Sequence, residues 1–184
     1  MKKLALVLAL TGSCVLTTSL VSTPALALET YQAKIEASDA ASQARVDMYD
    51  AFGSKMPRPG QYLWRSVPDG AGPERVVISI SDQLAYVYRG DTLMAVAAIS
   101  TGVPGRDTPT GIFTVRGKKL MHRSKKYDDA PMPFAQFIDQ YGIAMHAGYN
   151  PGRPASHGCI RLPAAFAKRL YTTTDVGTPV FIGA

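Results

Sequence analysis

The rhythm of apolar and polar positions changes near residue 75. From Leu28 to about Phe52 the chain is rich in Ala, Ser and charge and lacks Pro and Gly. Ile35, Val46, Tyr49 and Phe52 give a sparse stripe at helical spacing, which predicts a helix whose apolar face is too thin to form its own core. Such a helix serves as a spacer or packs on the domain that follows. Gly53 to Gly72 holds several Pro and Gly and reads as loop. From Arg75 onward the pattern is that of strands. Val76 to Ile80 is apolar and β-branched, Leu84 to Arg89 alternates, and Leu93 to Ile99 is a third run. Asp82-Gln83 and Gly90-Asp91 supply turns, so these runs predict an antiparallel meander.

A fourth strand is expected over Ile112 to Val115, after the turn-rich stretch Gly102 to Gly111. Residues 116–140 show no clean period and read as a long excursion over a site. Ile143 to His146 is short and apolar, suited to a strand that delivers His146. Pro163 can open a helix running to about Tyr171, and Thr178 to Ile182 reads as a closing strand. The fold class is therefore mainly β, with one or two short helices and an N-terminal helical extension.

The first residues bear on compartment. Met1-Lys2-Lys3, the apolar run from Leu4 and the small-x-small pattern of Pro24-Ala25-Leu26-Ala27 predict a signal peptide over residues 1–27 and a periplasmic protein. Gly12, Ser13, Cys14, Thr17, Thr18 and Ser19 make the segment a poor uncleaved anchor. A lipoprotein acylated on Cys14 is the other alternative, and Thr11 stands where such sites usually carry Leu. Removing the leader leaves 157 of 184 residues, enough for one domain with a real core. It also removes Lys2 and Lys3, taking the formal charge from +6 to +4, which suits an anionic polymer or surface. The expected divisions are 1–27 signal peptide, 28–72 helical spacer and loop, and 73–184 one β-rich domain.

Cys159 is then the one cysteine left, and an exported free thiol needs a reason. It stands in Ser156-His157-Gly158-Cys159-Ile160-Arg161-Leu162, thirteen residues after His146. A thiol becomes a useful nucleophile when a histidine accepts its proton. His157 lies two residues from Cys159, with little room for a substrate between them. His146, arriving on a neighbouring strand, is favoured as the base, leaving His157 a supporting or binding role. Gly158 permits close backbone approach, so the amides of Gly158 and Cys159 are candidates for an oxyanion site. Arg161 is placed to hold a carboxylate.

Blander readings stand beside these. A lone Cys near a His is more often structural than catalytic. His122, His146, His157 and Cys159 could instead ligate zinc, although no CxxC or HxxxH spacing supports that. Gly111 to Lys118 mimics a phosphate loop but breaks its spacing. Arg116, Lys118, Lys119, Arg123, Lys125 and Lys126 are either a solvated basic loop or a contact for an acidic polymer. Nucleic acid is not expected, for want of a reading element. Phe134, Phe137 and Tyr141 line a groove or anchor the excursion, with at least one expected in the groove. Trp64 is expected between the N-terminal segment and the sheet.

His146-Ala147-Gly148 followed by Ser156-His157-Gly158-Cys159-Ile160-Arg161-Leu162 resembles the signature of L,D-transpeptidases of the YkuD type. Residues 79–88, Ser100-Thr101-Gly102, Thr108 to Val115 and Gly177 to Ile182 are similar to further blocks of that family, so the resemblance covers about Arg75 to Ile182. It implies a β-sandwich-like domain with the cysteine under a flap. It also implies Cys159 as nucleophile and His146 as general base and acid, oriented by a backbone carbonyl near Ala147, where many members have Gly. The implied substrate is the peptidoglycan stem peptide. Cys159 would attack the carbonyl before a terminal D-alanine and pass the acyl group to an amine on a neighbouring stem, or to a lysine of a wall-linked protein. Ser156, His157 and Arg161 would bind substrate, no metal or nucleotide cofactor would be needed, and carbapenem-type β-lactams would inhibit. Hydrolysis of the same thioester, giving a carboxypeptidase or amidase, stays open, as does a non-catalytic wall-binding module.

Overall fold

The computed structural model describes residues 28–53 and 55–184. The expected leader and Cys14 lie outside them. Among the described residues, no helix is long and apolar enough to cross a membrane.

Among the described residues, ten strands form two sheets, accompanied by two α-helices and a 3-10 turn at Asp69–Ala71. Helix α1 is Tyr31–Phe52. The strands are β1 (Tyr62–Trp64), β2 (Glu74–Ser79), β3 (Leu84–Arg89), β4 (Thr92–Ala98), β5 (Gly111–Thr114), β6 (Gly117–Ser124), β7 (Ala130–Phe137), β8 (Ala144–Ala147) and β9 (Ile160–Leu162). Helix α2 (Ala164–Thr173) and β10 (Pro179–Gly183) close the chain. The larger sheet has the order β1-β4-β3-β2-β10-β5, and the smaller has β6-β7-β8-β9. The β2-β3-β4 meander is antiparallel, as its turn chemistry predicts, while β10 runs parallel to β2.

The strands of the meander read as continuous apolar runs because both faces of the large sheet are covered. Val76, Ile78, Ala85, Val87, Ala95 and Ala97 face inward, where they meet Met145, Ile160 and Leu162 of the small sheet and Phe166 and Leu170 of α2. Val77, Leu84, Tyr86, Val96 and Ala98 face the other way, onto Ala41, Ala44 and Met48 of α1.

That second contact corrects the expected helix face. Ile35, Val46 and Tyr49 are exposed, and α1 buries Ala33, Ala37, Ala41, Ala44 and Met48 instead. Small side chains win here because the helix lies almost on the backbone of β10. A Cβ added at Gly183 would come within 2.6 Å of the Ala37 carbonyl oxygen and 2.8 Å of the Ser38 Cα. Residues 28–72, expected as spacer and loop, therefore pack into the domain. Leu28 exchanges backbone hydrogen bonds with Ile112 at 2.7 and 3.0 Å, and β1 pairs with β4. Trp64 in β1 packs away from α1. Its ring meets Phe166 at 5.7 Å, and the Arg169 guanidinium lies 4.2 Å over it.

The excursion over 116–140 is a long hairpin. Strands β6 and β7 pair from Gly117↔Phe137 to Ser124↔Ala130. Its period is hidden because β6 is largely exposed while β7 buries only Met132, Ala135 and Gln136. Lys118 of the basic run is tied down structurally. It donates to the carbonyls of Tyr171 and Thr174, capping the C-terminal end of α2.

Candidate active site

Parallel strands β8 and β9 build the site. Their register sets Met145 opposite Ile160 and His146 opposite Arg161. Alternation then sends Met145, Ile160 and Leu162 into the core, and His146 and Arg161 to the other face. Cys159 directly precedes β9 on that same parity. The apolar-polar alternation of Ile160-Arg161-Leu162 thus aims the chemistry of its neighbours.

A groove of about 730 Å³ runs along this face, between the β6–β7 hairpin and the 141–149 and 156–161 segments. Ser156, His157, Cys159, His146 and Arg161 all line it, so the sequence-predicted set converges, apart from Gly158. Phe137 and Tyr141 also line it, whereas Phe134 turns to Tyr171 at 6.0 Å. Of the basic run, Lys125 and Lys126 reach the groove. His122 lines it too, edge-on to Phe137 at 5.1 Å. The four residues of the zinc reading thus share a groove, yet among the described residues no three metal-ligating side chains converge.

His146 keeps only 7% of its exposure. Its Nδ1 lies 2.8 Å from the Ala147 carbonyl oxygen. A carbonyl only accepts, so that nitrogen carries the proton and Nε2 is left as a base. Burial lowers the pKa of His146. The Ala147 hydrogen bond opposes this, and the charge of Arg161 and the ring of His122 add to the lowering. The half-buried Cys159 thiol donates to the Gly142 carbonyl at 3.8 Å. Burial pushes its pKa up and the Asp139 carboxylate adds to that, while the Ala144 amide and Arg161 pull it down. Both shifts favour the neutral form, of the thiol and of the imidazole, and the two side chains line the same groove.

Three segments brace the turn that carries Cys159. Gly158 has φ +111° and sits where a Cβ would meet Ile143 Cδ1 at 2.6 Å. The Gly158 amide, expected to face an oxyanion, donates to Ser156 Oγ at 3.1 Å. Ser156 Oγ in turn donates to the Cys159 carbonyl, so a serine here closes a tight turn. Thr108 Oγ1 donates to the Gly158 carbonyl at 2.8 Å and accepts from the Gly102 amide at 2.9 Å. Gln83 holds Thr101 through two bonds, and Ser100 pairs with Arg161 through the backbone.

Sequence reasoning passed over several contributors. Asn150 is buried, accepts from Ser100 Oγ and donates to the Ala98 carbonyl, fixing the loop after β8. Its local signature was visible, since Asn-Pro-Gly favours the turn in which the Gly152 amide bonds Asn150 Oδ1 at 2.9 Å. Asp139 Oδ1 accepts the amides of Tyr141 and Ile143 at 2.9 and 2.8 Å, setting the turn that carries Gly142 to the thiol. Tyr127, at the hairpin tip, stacks on His157 with centroids 4.3 Å apart. No local signal marks that contact.

Residues 73–182 match the family model of the L,D-transpeptidase catalytic domain, YkuD type. The chain belongs to that family. Solved L,D-transpeptidases share its fold. One from Mycobacterium smegmatis is 22% identical with a TM-score of 0.56, over 60% of this chain and 58% of that one. L,D-transpeptidase 3 from Mycobacterium tuberculosis, solved with a faropenem-derived adduct, is 24% identical with a TM-score of 0.56, over 61% and 60%. The enzyme from Xylanimonas cellulosilytica is 26% identical with a TM-score of 0.53, over 65% and 64%. The present L,D-transpeptidase family member thus spans about three fifths of these solved chains. Among curated proteins, none matches it.

Proposed function

We propose that this protein is a peptidoglycan L,D-transpeptidase acting through Cys159 and His146 in the periplasm. The observation that carries this reading is the Nδ1–Ala147 hydrogen bond, which leaves His146 Nε2 basic in the groove that holds the thiol.

The stem tetrapeptide lies in the groove with its terminal carboxylate on Arg161, a half-buried guanidinium with no carboxylate partner among the described residues. His146 Nε2 takes the thiol proton as the sulfur attacks the carbonyl before the terminal D-alanine. The oxyanion falls to the Cys159 amide, because the Gly158 amide is committed to Ser156. The imidazolium returns the proton to the leaving amine, D-alanine departs, and a thioester remains. An acceptor amine attacks the thioester, gives its proton to His146 and restores the thiol.

Mass spectrometry of the protein with a stem tetrapeptide or a carbapenem should show a covalent adduct. Cys159→Ala should show none while keeping its fold by circular dichroism; an equal adduct on that variant defeats the proposal. Product analysis with purified stems should yield cross-linked dimers. Trimmed monomers alone would make the protein a hydrolase of the same thioester, and normal sacculus binding with an inert thiol would make it a wall-binding module.

A further inference from the structure

The groove holds more positive charge than the chemistry above uses. Arg161, Lys125 and Lys126 line it, against one acid, Asp128. The two lysines sit on the tip of the β6–β7 hairpin, and the Tyr127–His157 stack holds that tip over the nucleophile turn. Arg123 on the same hairpin is paired with Asp129, and Lys118 with the end of α2. Among the described residues, Lys125 and Lys126 have no acidic partner, and Lys126 lies 5.4 Å over the Tyr127 ring. Left-handed φ values of 48° and 53° at Asp128 and Asp129 bend the tip. With the histidines neutral, the groove lining carries a net of two positive charges.

We infer that Lys125 and Lys126 form a second anion subsite, which selects stem peptides whose diamino acid carries a free carboxylate over stems in which that group is amidated. The inference rests on the proposed function. Arg161, next to His146, takes the carboxylate of the leaving D-residue. A second carboxylate, on the residue whose carbonyl is attacked, meets the cations of the hairpin tip, while a neutral amide gains only a dipole there. The same positive field reaches His157, whose pKa is lowered first by desolvation and then by Arg106, Arg161 and Lys126.

The test compares two synthetic tetrapeptides, identical except that one carries the diamino acid as carboxylate and the other as carboxamide. Acyl-enzyme formation is followed by mass spectrometry at low and raised salt. The unmodified protein should acylate about tenfold faster on the carboxylate stem, and salt should shrink the gap, because tip lysines are exposed enough to be screened. In K125Q/K126Q the ratio should approach one, and K125R/K126R should restore it. Equal rates on both stems in the unmodified protein, or an undiminished ratio in K125Q/K126Q with its thermal unfolding unchanged, would overturn the inference while leaving the proposed function intact. Absence of adduct from both stems would overturn the two together.

Discussion

At Cys159 two influences oppose each other: burial disfavours the thiolate, and the Ala144 amide and Arg161 favour it. Burial wins, so alkylation by iodoacetamide at pH 7 should be slower than that of free cysteine, with its pH midpoint above the ordinary thiol value. At His146 burial wins over the Ala147 hydrogen bond. The proposed base must be neutral to work, and a lowered pKa keeps it neutral further into acid. The acid limb of kcat/KM should therefore fall below about 6.5. Arg161→Ala removes a charge that disfavours the imidazolium, so it should move that limb to higher pH as well as weaken substrate binding. His146→Ala should cost orders of magnitude in rate and His157→Ala less; the reverse ranking would reassign the base. The proposed roles of Cys159, His146 and Arg161 were legible through the family signature they stand in, since a lone Cys near a His is by itself more often structural. The commitment of the Gly158 amide to Ser156 was not, because that bond depends on the backbone turn through His157 and on the rotamer of the Ser156 side chain.

Among the elements, α1 is the one whose face was misread. Aromatic and β-branched residues carry the strongest apolar signal, yet the face that docks is alanine, since only short side chains allow the helix to touch β10. Enlarging that face tests the account. Ala41→Leu should destabilise the protein by about 1–3 kcal/mol through overpacking, read from urea unfolding, whereas Arg45→Ala, which breaks a half-exposed pair with Asp82, should cost under about 1 kcal/mol. The 139–143 turn offers a second case. Asp139→Ala removes the acceptor of one exposed and one half-buried amide and should cost about 0.5–1.5 kcal/mol. Asp139→Asn keeps an acceptor for the turn and removes a charge that raises the thiol pKa, so its alkylation midpoint should move down. The β6–β7 hairpin escaped detection for a related reason: a strand ladder exposed along one strand has no apolar alternation to display.

Across the whole molecule, the large sheet is covered on one face by the small sheet and α2, and on the other by α1. Deleting residues 28–53 would bare Val77, Leu84, Tyr86 and Val96. The truncated chain should bind a hydrophobic dye and unfold at lower temperature than the longer one; unchanged unfolding would return α1 to the role of spacer. The turn that carries Cys159 depends on the same overall closure, because its braces come from Gln83, Gly102, Thr108 and Ile143, contributed by separate parts of the chain.

What the sequence determined alone was what depends on neighbours within a few residues: the meander, the β8 and β10 strands, the second helix, and the motif around Cys159. Their periods and spacings are set by backbone geometry and side-chain chemistry, which act locally. What only the tertiary structure decided was which distant surfaces meet: the alanine face of α1 on β10, Trp64 on α2, the hairpin tip over His157, and the parallel register that sets His146 beside Arg161. Those contacts follow from close packing of the whole chain, where the free energy of one pairing depends on every other surface left to cover.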